Sequence, residues 1–391
     1  MYRISDCYSE FLLSRKEFSL ANVSKRRTSI PVYVGDVRIG GGGDVVVQSM
    51  TTTNTADVDA TRAQIQRLAD AGCEIVRIAV PDNNAAQALP NLVKNSSVPL
   101  IADIHFDYRL ALSAAEAGIH GLRINPGNIG DPDRVKQVVK ACKSRDIPIR
   151  IGVNAGSIPE NRHPDGRPKQ GEALAEAMVG HAMEHIRILE GEGFESMKIS
   201  LKAFEIDPMV RAYRMLAPKI PYPLHLGITE AGTPRAGSIR SAIGIGMLLY
   251  EGIGDTIRVS LTAEPEEEIP VAFEILKSLD IREKGPVMVS CPSCGRCEID
   301  LFPLVDKVEK YLEHVDEPIK VAVMGCVVNG PGEAKDADIG LAGGKGRGVI
   351  FSKGEILETL DEDQFMPRLT AGIEQLLEEK RAATSTEVLE P

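Results

Sequence analysis

Short apolar, β-branched runs alternate with amphipathic segments along most of the chain. The runs occupy residues 45–49, 74–80, 99–106, 122–125, 148–154, 197–202, 223–229 and 256–262. Helix-compatible segments such as DATRAQIQRLADAG separate them, and several of these segments end at a glycine, which is typical of a helix C-terminus. Strands that alternate with helices pair in parallel through right-handed crossovers. The pattern therefore predicts an α/β domain with eight strands.

Eight strand–helix units favour a closed (β/α)8 TIM-type barrel over an open sheet. A hairpin-like stretch, IPVYVGDVRIGGGG, leads into the first unit. We expect the barrel, as the substrate-binding domain, at residues 30–284, after an N-terminal arm at residues 1–29. The arm ends near the basic cluster of Lys25, Arg26 and Arg27, which we expect to be solvated. A doubly wound sheet is the structural alternative.

A different pattern begins after residue 284. The array MVSCPSCGRC comes first, and an amphipathic segment, the apolar strand IKVAVMG and the motif CVVNGPGEA follow it. A glycine-rich turn, GGKGRG, then precedes the segment VIFSKGEI and a helix-like stretch near residues 363–380. We expect a smaller α+β domain at residues 285–381 and a frayed C-terminal tail at residues 382–391.

Composition and charge exclude several classes of protein. The chain has 391 residues, of which 43% are hydrophobic and 26% charged, as in globular proteins. A net charge of −11 and an aromatic content of 4% argue against a nucleic-acid partner. The longest apolar runs are too short to span a bilayer, and the first residues lack the apolar region of a secretory signal. We therefore expect a cytoplasmic protein with no membrane partner.

Four of the seven cysteines form a candidate metal site. Cys291, Cys294 and Cys297 stand in a C-x2-C-x2-C array, and Cys326 directly follows an apolar strand. An odd number of cysteines in a reducing compartment favours thiols or metal ligands over a disulfide framework. Thiolates are soft ligands, and this spacing favours an iron–sulfur cluster with Cys297 as the fourth ligand. A zinc site and unliganded thiols stay open as alternatives.

Basic and polar residues recur near the C-terminal ends of the predicted strands. In a (β/α)8 barrel, alternate side chains at these ends face a common pocket. The candidate binding residues with this placement are Arg77, Asp103, His105, Arg123, Asn125, Arg150, Asn154, Lys202, Arg258 and Ser260. Lys198, Ser200 and Thr262 share the same parity on the sixth and eighth strands. Any one of the cations is equally well explained by an internal salt bridge. Together they are costly to bury without an anion, and guanidinium groups suit phosphate oxygens, so we expect a phosphorylated ligand.

Seven segments of the chain together resemble one enzyme family. They are ADIHF, RINPGN, RIGVN, GITEAG, RVSLT, SCPSCGRCEID and MGCVVNGPGEA, in order between residue 30 and residue 375. They are similar to the 4-hydroxy-3-methylbut-2-enyl diphosphate synthases of the methylerythritol phosphate route to isoprenoids. The resemblance implies an iron–sulfur oxidoreductase that opens the ring of 2-C-methyl-D-erythritol 2,4-cyclodiphosphate by two-electron reduction, with loss of a hydroxyl as water.

The same resemblance implies a ligand set, to which we add a candidate proton donor. In this family three cysteines and a glutamate hold a [4Fe-4S] cluster, and the matching positions here are Cys291, Cys294, Cys326 and Glu333. Cys297 is an addition to the family pattern, so a four-thiolate cluster stays open. Displacement of Glu333 would leave one iron open to a substrate oxygen, which makes this residue catalytic as well. Glu230 of GITEAG is our candidate general acid, with Asp103 and His105 as orienting or relay groups, and hydrogen bonding within the barrel stays open as the alternative role for all three.

Partners follow from the same resemblance. The expected electron donor is a ferredoxin or a flavodoxin, and the expected assembly is a homodimer in which the cluster domain of one subunit covers the barrel of its partner. The loop at residues 155–171 is either a closing lid or a long surface loop. Two other functions stay open: an iron–sulfur reductase of another phosphorylated or pterin-like substrate, and a non-enzymatic zinc-binding module.

Overall fold

Two compact units make up the chain, one ending at Arg282 and the other beginning at Glu283. We call them the barrel unit and the C-terminal unit. The computed structural model describes residues 25–124, 132–328 and 330–387. Among these residues, every helix is too short or too polar to cross a bilayer.

Eight parallel strands form the barrel unit, as predicted. They are β3 (Val46–Met50), β4 (Ile75–Ala79), β5 (Leu100–Asp103), β6 (Gly121–Ile124), β7 (Ile149–Asn154), β8 (Met197–Lys202), β9 (His225–Leu226) and β10 (Thr256–Ile257). Their order in the sheet is β8-β7-β6-β5-β4-β3-β10-β9. A parallel bridge between Ile199 and Leu224 joins β8 to the start of β9 and closes the ring. The alternative of a doubly wound open sheet is therefore wrong.

The last two strands are shorter than their apolar runs predict. The runs 223–229 and 256–262 contain strands of only two residues each. Ile228 and Val259 are nonetheless fully buried. These positions are apolar because they pack beneath the carboxyl end of the barrel, and burial alone does not distinguish a strand from a buried loop.

Helices cover the outside of the barrel between successive strands. They are α1 (Val58–Asp70), α2 (Asn83–Lys94), α3 (Tyr108–Glu116), α4 (Pro132–Lys143), α5 (Gly171–Gly191), α6 (Ile206–Leu216), α7 (Pro234–Tyr250) and α8 (Glu268–Ser278). Asp57, Asp82 and Asp107 cap α1, α2 and α3 by accepting a hydrogen bond from a backbone N–H of the first turn. Each helix therefore begins directly after the loop that leaves the carboxyl end of a strand.

A two-stranded hairpin closes the amino end of the barrel. Its strands, β1 (Val32–Val34) and β2 (Val37–Ile39), pair antiparallel. Val34 and Ile39 pack against Val46, Ile75 and Ile101, which lie near the starts of β3, β4 and β5. This apolar plug leaves only the carboxyl end available for a polar site.

The expectation that the basic cluster of the N-terminal arm is solvated is wrong for Arg26 and Arg27. Arg26 Nη2 donates to the Gly254 carbonyl oxygen at 3.0 Å, and Arg27 Nε donates to that of Ala217 at 2.8 Å. Both side chains also lie within 4.0 Å of the buried Asp255 carboxylate. A buried carboxylate needs such cations, which is why the chain is ordered here. Residues 1–24 of the predicted arm lie outside the described residues.

The C-terminal unit is the expected α+β domain. Its strands are β11 (Val287–Ser290), β12 (Lys320–Met324), β13 (Ile339–Gly344), β14 (Arg347–Ser352) and β15 (Glu355–Asp361), hydrogen-bonded in that order. The first three are parallel, and the last two join by antiparallel pairing. Its helices are α9 (Leu301–Leu312), α10 (Gly330–Glu333) and α11 (Phe365–Glu387). The predicted tail at residues 382–391 is wrong in its first part, because α11 continues to Glu387.

Candidate active site

A cavity of about 230 Å³ opens at the carboxyl end of the barrel strands. It is lined by Arg77, Asp103, His105, Arg123, Arg150, Asn154, Ser200, Lys202, Ile228, Thr229, Arg258 and Ser260. Every described residue of the predicted phosphate-binding set is present. Asn125, the remaining member of that set, lies outside the described residues. The alternation of side chains along barrel strands therefore correctly predicts that residues from six strands, and from the loops that follow them, lie at one cavity.

Strand register explains why these side chains meet. Asp103 pairs with Arg123, Arg123 with Arg150, and Arg150 with Lys198 on successive neighbouring strands, so the four side chains form one row inside the barrel. Gly152 lies beyond Arg150 on β7, and a Cβ atom there would lie 2.5 Å from Arg123 Nε. The absence of a side chain at residue 152 makes room for the guanidinium group.

Asp103 is the anionic centre of this row. Arg123 Nη1 lies 3.0 Å from its Oδ1, and Arg77 Nε lies 3.5 Å from its Oδ2. Arg123 Nη1 also lies 3.0 Å from His105 Nε2. Burial by itself raises the pKa of Asp103, but Arg77, the His105 hydrogen bond and Arg123 together hold it well below its usual value. Asp103 is therefore ionised and serves as a counter-ion, so it does not donate a proton.

The cavity still carries more cations than carboxylates. Arg150 is 2% exposed, and its Nε and Nη1 have no hydrogen-bond partner in the described part of the chain. Burial, followed by repulsion from Arg150 and Arg258, lowers the pKa of Lys202 well below its usual value. Unpaired buried cations are costly, so an anion in this cavity would be strongly stabilised.

Glu268 is a site residue that sequence reasoning missed. It is 2% exposed at the first position of α8. Its carboxylate accepts hydrogen bonds from Ser49 Oγ at 2.7 Å, Arg258 Nη2 at 3.1 Å and the Leu261 backbone N–H at 3.1 Å. The run PEEEIP looks like a solvated acidic face in the sequence. The signal that distinguishes Glu268 from its neighbours is its place directly before the apolar face of α8.

The structure does not bring Glu230 into the cavity. Its side chain is exposed, and its backbone has a left-handed φ of 55°. Thr229, the residue before it, does line the cavity. Glu230 therefore lies next to the cavity wall, with its carboxyl group in solvent.

The loop predicted as a lid or surface loop contacts the side of α5. Its residues Arg162 and Pro168 form an antiparallel bridge. His163 and Lys169 line a groove of about 510 Å³ together with His181 and other residues of α5. This arrangement is that of a surface loop packed on its following helix, and closure over the cavity stays a prediction.

The cysteines of the C-terminal unit converge around Gly325. The Cys291 sulfur accepts a hydrogen bond from the Gly325 N–H at 3.2 Å. A Cβ atom on Gly325 would lie 2.6 Å from the Cys297 sulfur and 3.4 Å from that of Cys291. Cys326 is the next residue. Glycine at residue 325 is thus required to hold the C-x2-C-x2-C turn against the end of β12.

Arg296 connects the other candidate ligands. Its backbone N–H and side chain both hydrogen-bond Cys294 and lower the pKa of that thiol, which favours the thiolate that binds metals. The hydrogen bond to Cys294, and then the charges of Cys294, Cys326 and Glu333, in turn raise the pKa of Arg296. Within the described ranges, no three His, Cys, Asp or Glu side chains are set to hold a single metal ion. The donor set fits an iron–sulfur cluster in chemistry and neighbourhood, without being preassembled at ligand distances.

Family domains match nearly the whole described chain. Residues 29–273 match the GcpE TIM-barrel domain, and residues 287–375 match the GcpE protein C-terminal domain. The two matches coincide with the barrel unit and the C-terminal unit.

Three similar proteins carry the name 4-hydroxy-3-methylbut-2-en-1-yl diphosphate synthase (flavodoxin). The protein from Dehalococcoides mccartyi is 54% identical over 351 residues, which cover 90% of this chain and 99% of the relative. The protein from Maridesulfovibrio salexigens is 55% identical over 357 residues, which cover 91% of this chain and 99% of the relative. The protein from Thermodesulfovibrio yellowstonii is 55% identical over 345 residues, which cover 88% of this chain and 98% of the relative. These matches confirm the resemblance predicted from the seven motifs, and the chain belongs to the GcpE family.

Proposed function

We propose that the chain catalyses the reductive ring opening and dehydroxylation of 2-C-methyl-D-erythritol 2,4-cyclodiphosphate to 4-hydroxy-3-methylbut-2-enyl diphosphate. The names of its relatives support an oxidoreductase of this kind. The observation that carries the proposal is the barrel cavity, whose lining includes five basic side chains but one carboxylate, Asp103, and so leaves positive charge unbalanced. A cyclic diphosphate has the charge that this cavity lacks.

The cationic side chains bind the diphosphate. Arg77, Arg123, Arg150, Lys202 and Arg258 clamp the phosphate oxygens, and Asn154 and Ser260 donate hydrogen bonds to the ligand. The diphosphate becomes a leaving group when the ring C–O bond breaks, and its oxygen then gains negative charge. Guanidinium groups already held in place stabilise that charge without reorganisation.

The C-terminal unit holds the redox group in this proposal. Cys291, Cys294 and Cys326 would hold a [4Fe-4S] cluster with Glu333 as the fourth ligand, and that cluster would pass on the two electrons from the electron donor and supply a Lewis-acidic iron. Arg296 lies beside three of these four groups and balances their negative charge. Cys297 donates a hydrogen bond to the Ile299 carbonyl oxygen at 3.4 Å and stays outside the ligand set.

The departing hydroxyl needs a proton, which Glu230 supplies in this proposal. Asp103 is unsuited to that role because its neighbours keep it ionised. Asp103 and His105 instead orient Arg123 toward the ligand. Glu230 is exposed at the edge of the cavity, so its donation requires that the bound substrate or a covering subunit remove it from water. A Glu230→Gln variant that bound the cyclodiphosphate normally and kept full turnover would exclude this role.

A flavodoxin, or a ferredoxin in its place, delivers the electrons, as the relatives' names support for flavodoxin. We place the reaction in the cytoplasm, where thiolate ligands persist. The proposed assembly is a homodimer in which one subunit's cluster domain covers the partner's barrel.

An apolar stripe on α7 supports self-association. Ile239, Ile243, Met247 and Tyr250 are all at least 40% exposed along one face of this helix. Antiparallel pairing of α7 with a second copy buries this stripe.

Anaerobic turnover tests the proposed function. Reconstituted protein with reduced flavodoxin should consume the cyclodiphosphate and release 4-hydroxy-3-methylbut-2-enyl diphosphate, detected by mass spectrometry. Protein that contains iron and acid-labile sulfide but leaves the cyclodiphosphate unconsumed would point to a reductase of another substrate. Zinc without iron or sulfide after anaerobic purification would reject the redox function and support a zinc-binding module.

A further inference from the structure

Lys198 is a buried amine that the proposed reaction does not use. It is 2% exposed inside the barrel, and its Nζ has no hydrogen-bond partner in the described ranges. It lies two residues before Ser200 and four before Lys202 on β8, both of which line the cavity. Lys198 lies in the row of Asp103, Arg123 and Arg150 but does not itself line the cavity.

The groups around Lys198 cannot neutralise an ammonium ion. Arg150 is its register partner on β7, and Arg77 acts on it from β4. Lys198 and Lys202 both lower the pKa of His225 of β9, which burial already keeps well below its usual value. Lys198 therefore has two guanidinium groups and a neutral imidazole as its charged or titratable neighbours.

The buried carboxylates Asp103 and Glu268 are already engaged by other cations. Asp103 is held by Arg77 and Arg123, and Glu268 is held by Arg258. Burial first, and Arg150 and Arg77 next, lower the pKa of Lys198 well below its usual value. Lysine gives up its proton more readily than arginine, so the amine is the group in this row that relieves the excess positive charge.

We propose that binding of the diphosphate in the cavity is coupled to uptake of one proton by the Lys198 amine. This inference rests on the proposed function, because it needs an anion beside Arg150. The anion adds negative charge directly above the row of Arg123, Arg150 and Lys198 and makes the ammonium form the favoured one. One N–H bond forms with a proton from solvent, and no electrons move. The Lys198 amine thereby binds a proton only when substrate is bound.

Titration calorimetry of the full-length protein measures this coupling. The cyclodiphosphate is titrated in buffers of different ionisation enthalpy just above neutral pH, where its esterified phosphates do not themselves titrate. Sulfate, a dianion that is also not protonated near neutral pH, is the second probe. We expect proton uptake by the wild-type protein with both probes, and we expect Lys198→Met to take up about one proton fewer per chain. The affinity of Lys198→Met for each probe should therefore depend less steeply on pH than the affinity of the wild type, by about a factor of ten per pH unit.

Lys140→Met is the matched control, because Lys140 is an exposed lysine of α4. This variant should keep the wild-type proton uptake. Binding without proton uptake by the wild-type protein would overturn the coupling and leave the proposed function intact, and this result does not depend on any variant. Equal uptake by wild type and Lys198→Met would also overturn it, by assigning the proton to another group. If the cyclodiphosphate does not bind at all, the proposed function fails, and this inference fails with it.

Discussion

The Asp103 carboxylate and the Arg123 guanidinium form a buried ion pair in the wall of the barrel cavity, with 3.0 Å between Oδ1 and Nη1. Both side chains are almost inaccessible to water. Removal of one partner leaves the other charge buried and unpaired, which typically costs about 3–5 kcal/mol. Asp103→Asn should therefore lower the free energy of unfolding by about that amount, measured by urea denaturation.

Asp107→Asn is the control for this substitution. Asp107 also pairs with an arginine, Arg109, at 2.7 Å, but on the exposed surface, where ion pairs contribute little. Loss of this surface ion pair should change the free energy of unfolding only slightly. A similar effect of both substitutions would show that Asp103 does not compensate the buried cations.

His185 should make stability fall in mild acid. Burial first, and His181 next, lower the pKa of His185 from 6.5 to about 4 in the folded protein. Between these values the unfolded chain binds a proton that the folded protein resists, so stability is lost as the pH falls from about 6.5 to about 4. The loss attributable to this side chain is about 3 kcal/mol.

The measurement for His185 is the free energy of unfolding near neutral pH and near pH 4.5 for wild type, His185→Leu and His314→Gln. The His185→Leu variant should lose less stability on acidification than wild type. His314 is exposed at the end of α9, so its replacement should leave the pH dependence unchanged. If His185→Leu and wild type lose the same stability, the histidine is not kept neutral by burial.

Glu268→Gln should weaken substrate binding through Arg258. The carboxylate accepts hydrogen bonds from both Nε and Nη2 of this arginine and also holds Ser49. A hydrogen bond to a charged group contributes about 1.5–3 kcal/mol, so kcat/KM for the cyclodiphosphate should fall roughly 10- to 100-fold. Glu267→Gln, at the exposed neighbouring position, should have normal kinetics. Unchanged kcat/KM in Glu268→Gln would remove Glu268 from the site.

Substitutions in the C-terminal unit distinguish ligands from neighbours. Cys297→Ser should keep wild-type iron and acid-labile sulfide after anaerobic reconstitution, whereas Cys294→Ser should lose most of both. Glu333→Ala should keep a cluster, because three thiolates remain, and should lose most of its turnover. Loss of the cluster in Cys297→Ser would instead favour a four-thiolate site, which the convergence of Cys291 and Cys297 on Gly325 makes the main alternative.

Ile243→Glu should convert the proposed dimer into a monomer. The residue is 49% exposed near the middle of the α7 stripe, and a second copy of α7 would bury two such charges against each other. Sedimentation velocity measures the change in mass. Ile188→Glu carries the same substitution at an exposed position of α5 and should leave the assembly intact. A wild-type protein that sediments as a monomer would exclude α7 as an interface.

Local patterns predicted most of the barrel because a strand that is covered on both faces is apolar along its length. The predicted runs beginning at residues 45, 74 and 99 start within one residue of Val46, Ile75 and Leu100. The same rule failed at residues 223–229 and 256–262, where buried loops are as apolar as strands. Local patterns also failed to predict the burial of Arg26 and Arg27, because their partner Asp255 is distant in the sequence.

The sequence by itself determined the alternation of strands and helices, the side of each strand that faces the barrel interior and the cysteine motif of the C-terminal unit. These features depend on residues close together along the chain. Only the tertiary structure decided that Glu268 binds Arg258, that Lys198 has no hydrogen-bond partner among the residues the structure describes and that Glu230 stays in solvent. Such relationships depend on which side chains meet across the barrel. Burial then decides whether each charge is neutralised, loses its proton or remains hydrated.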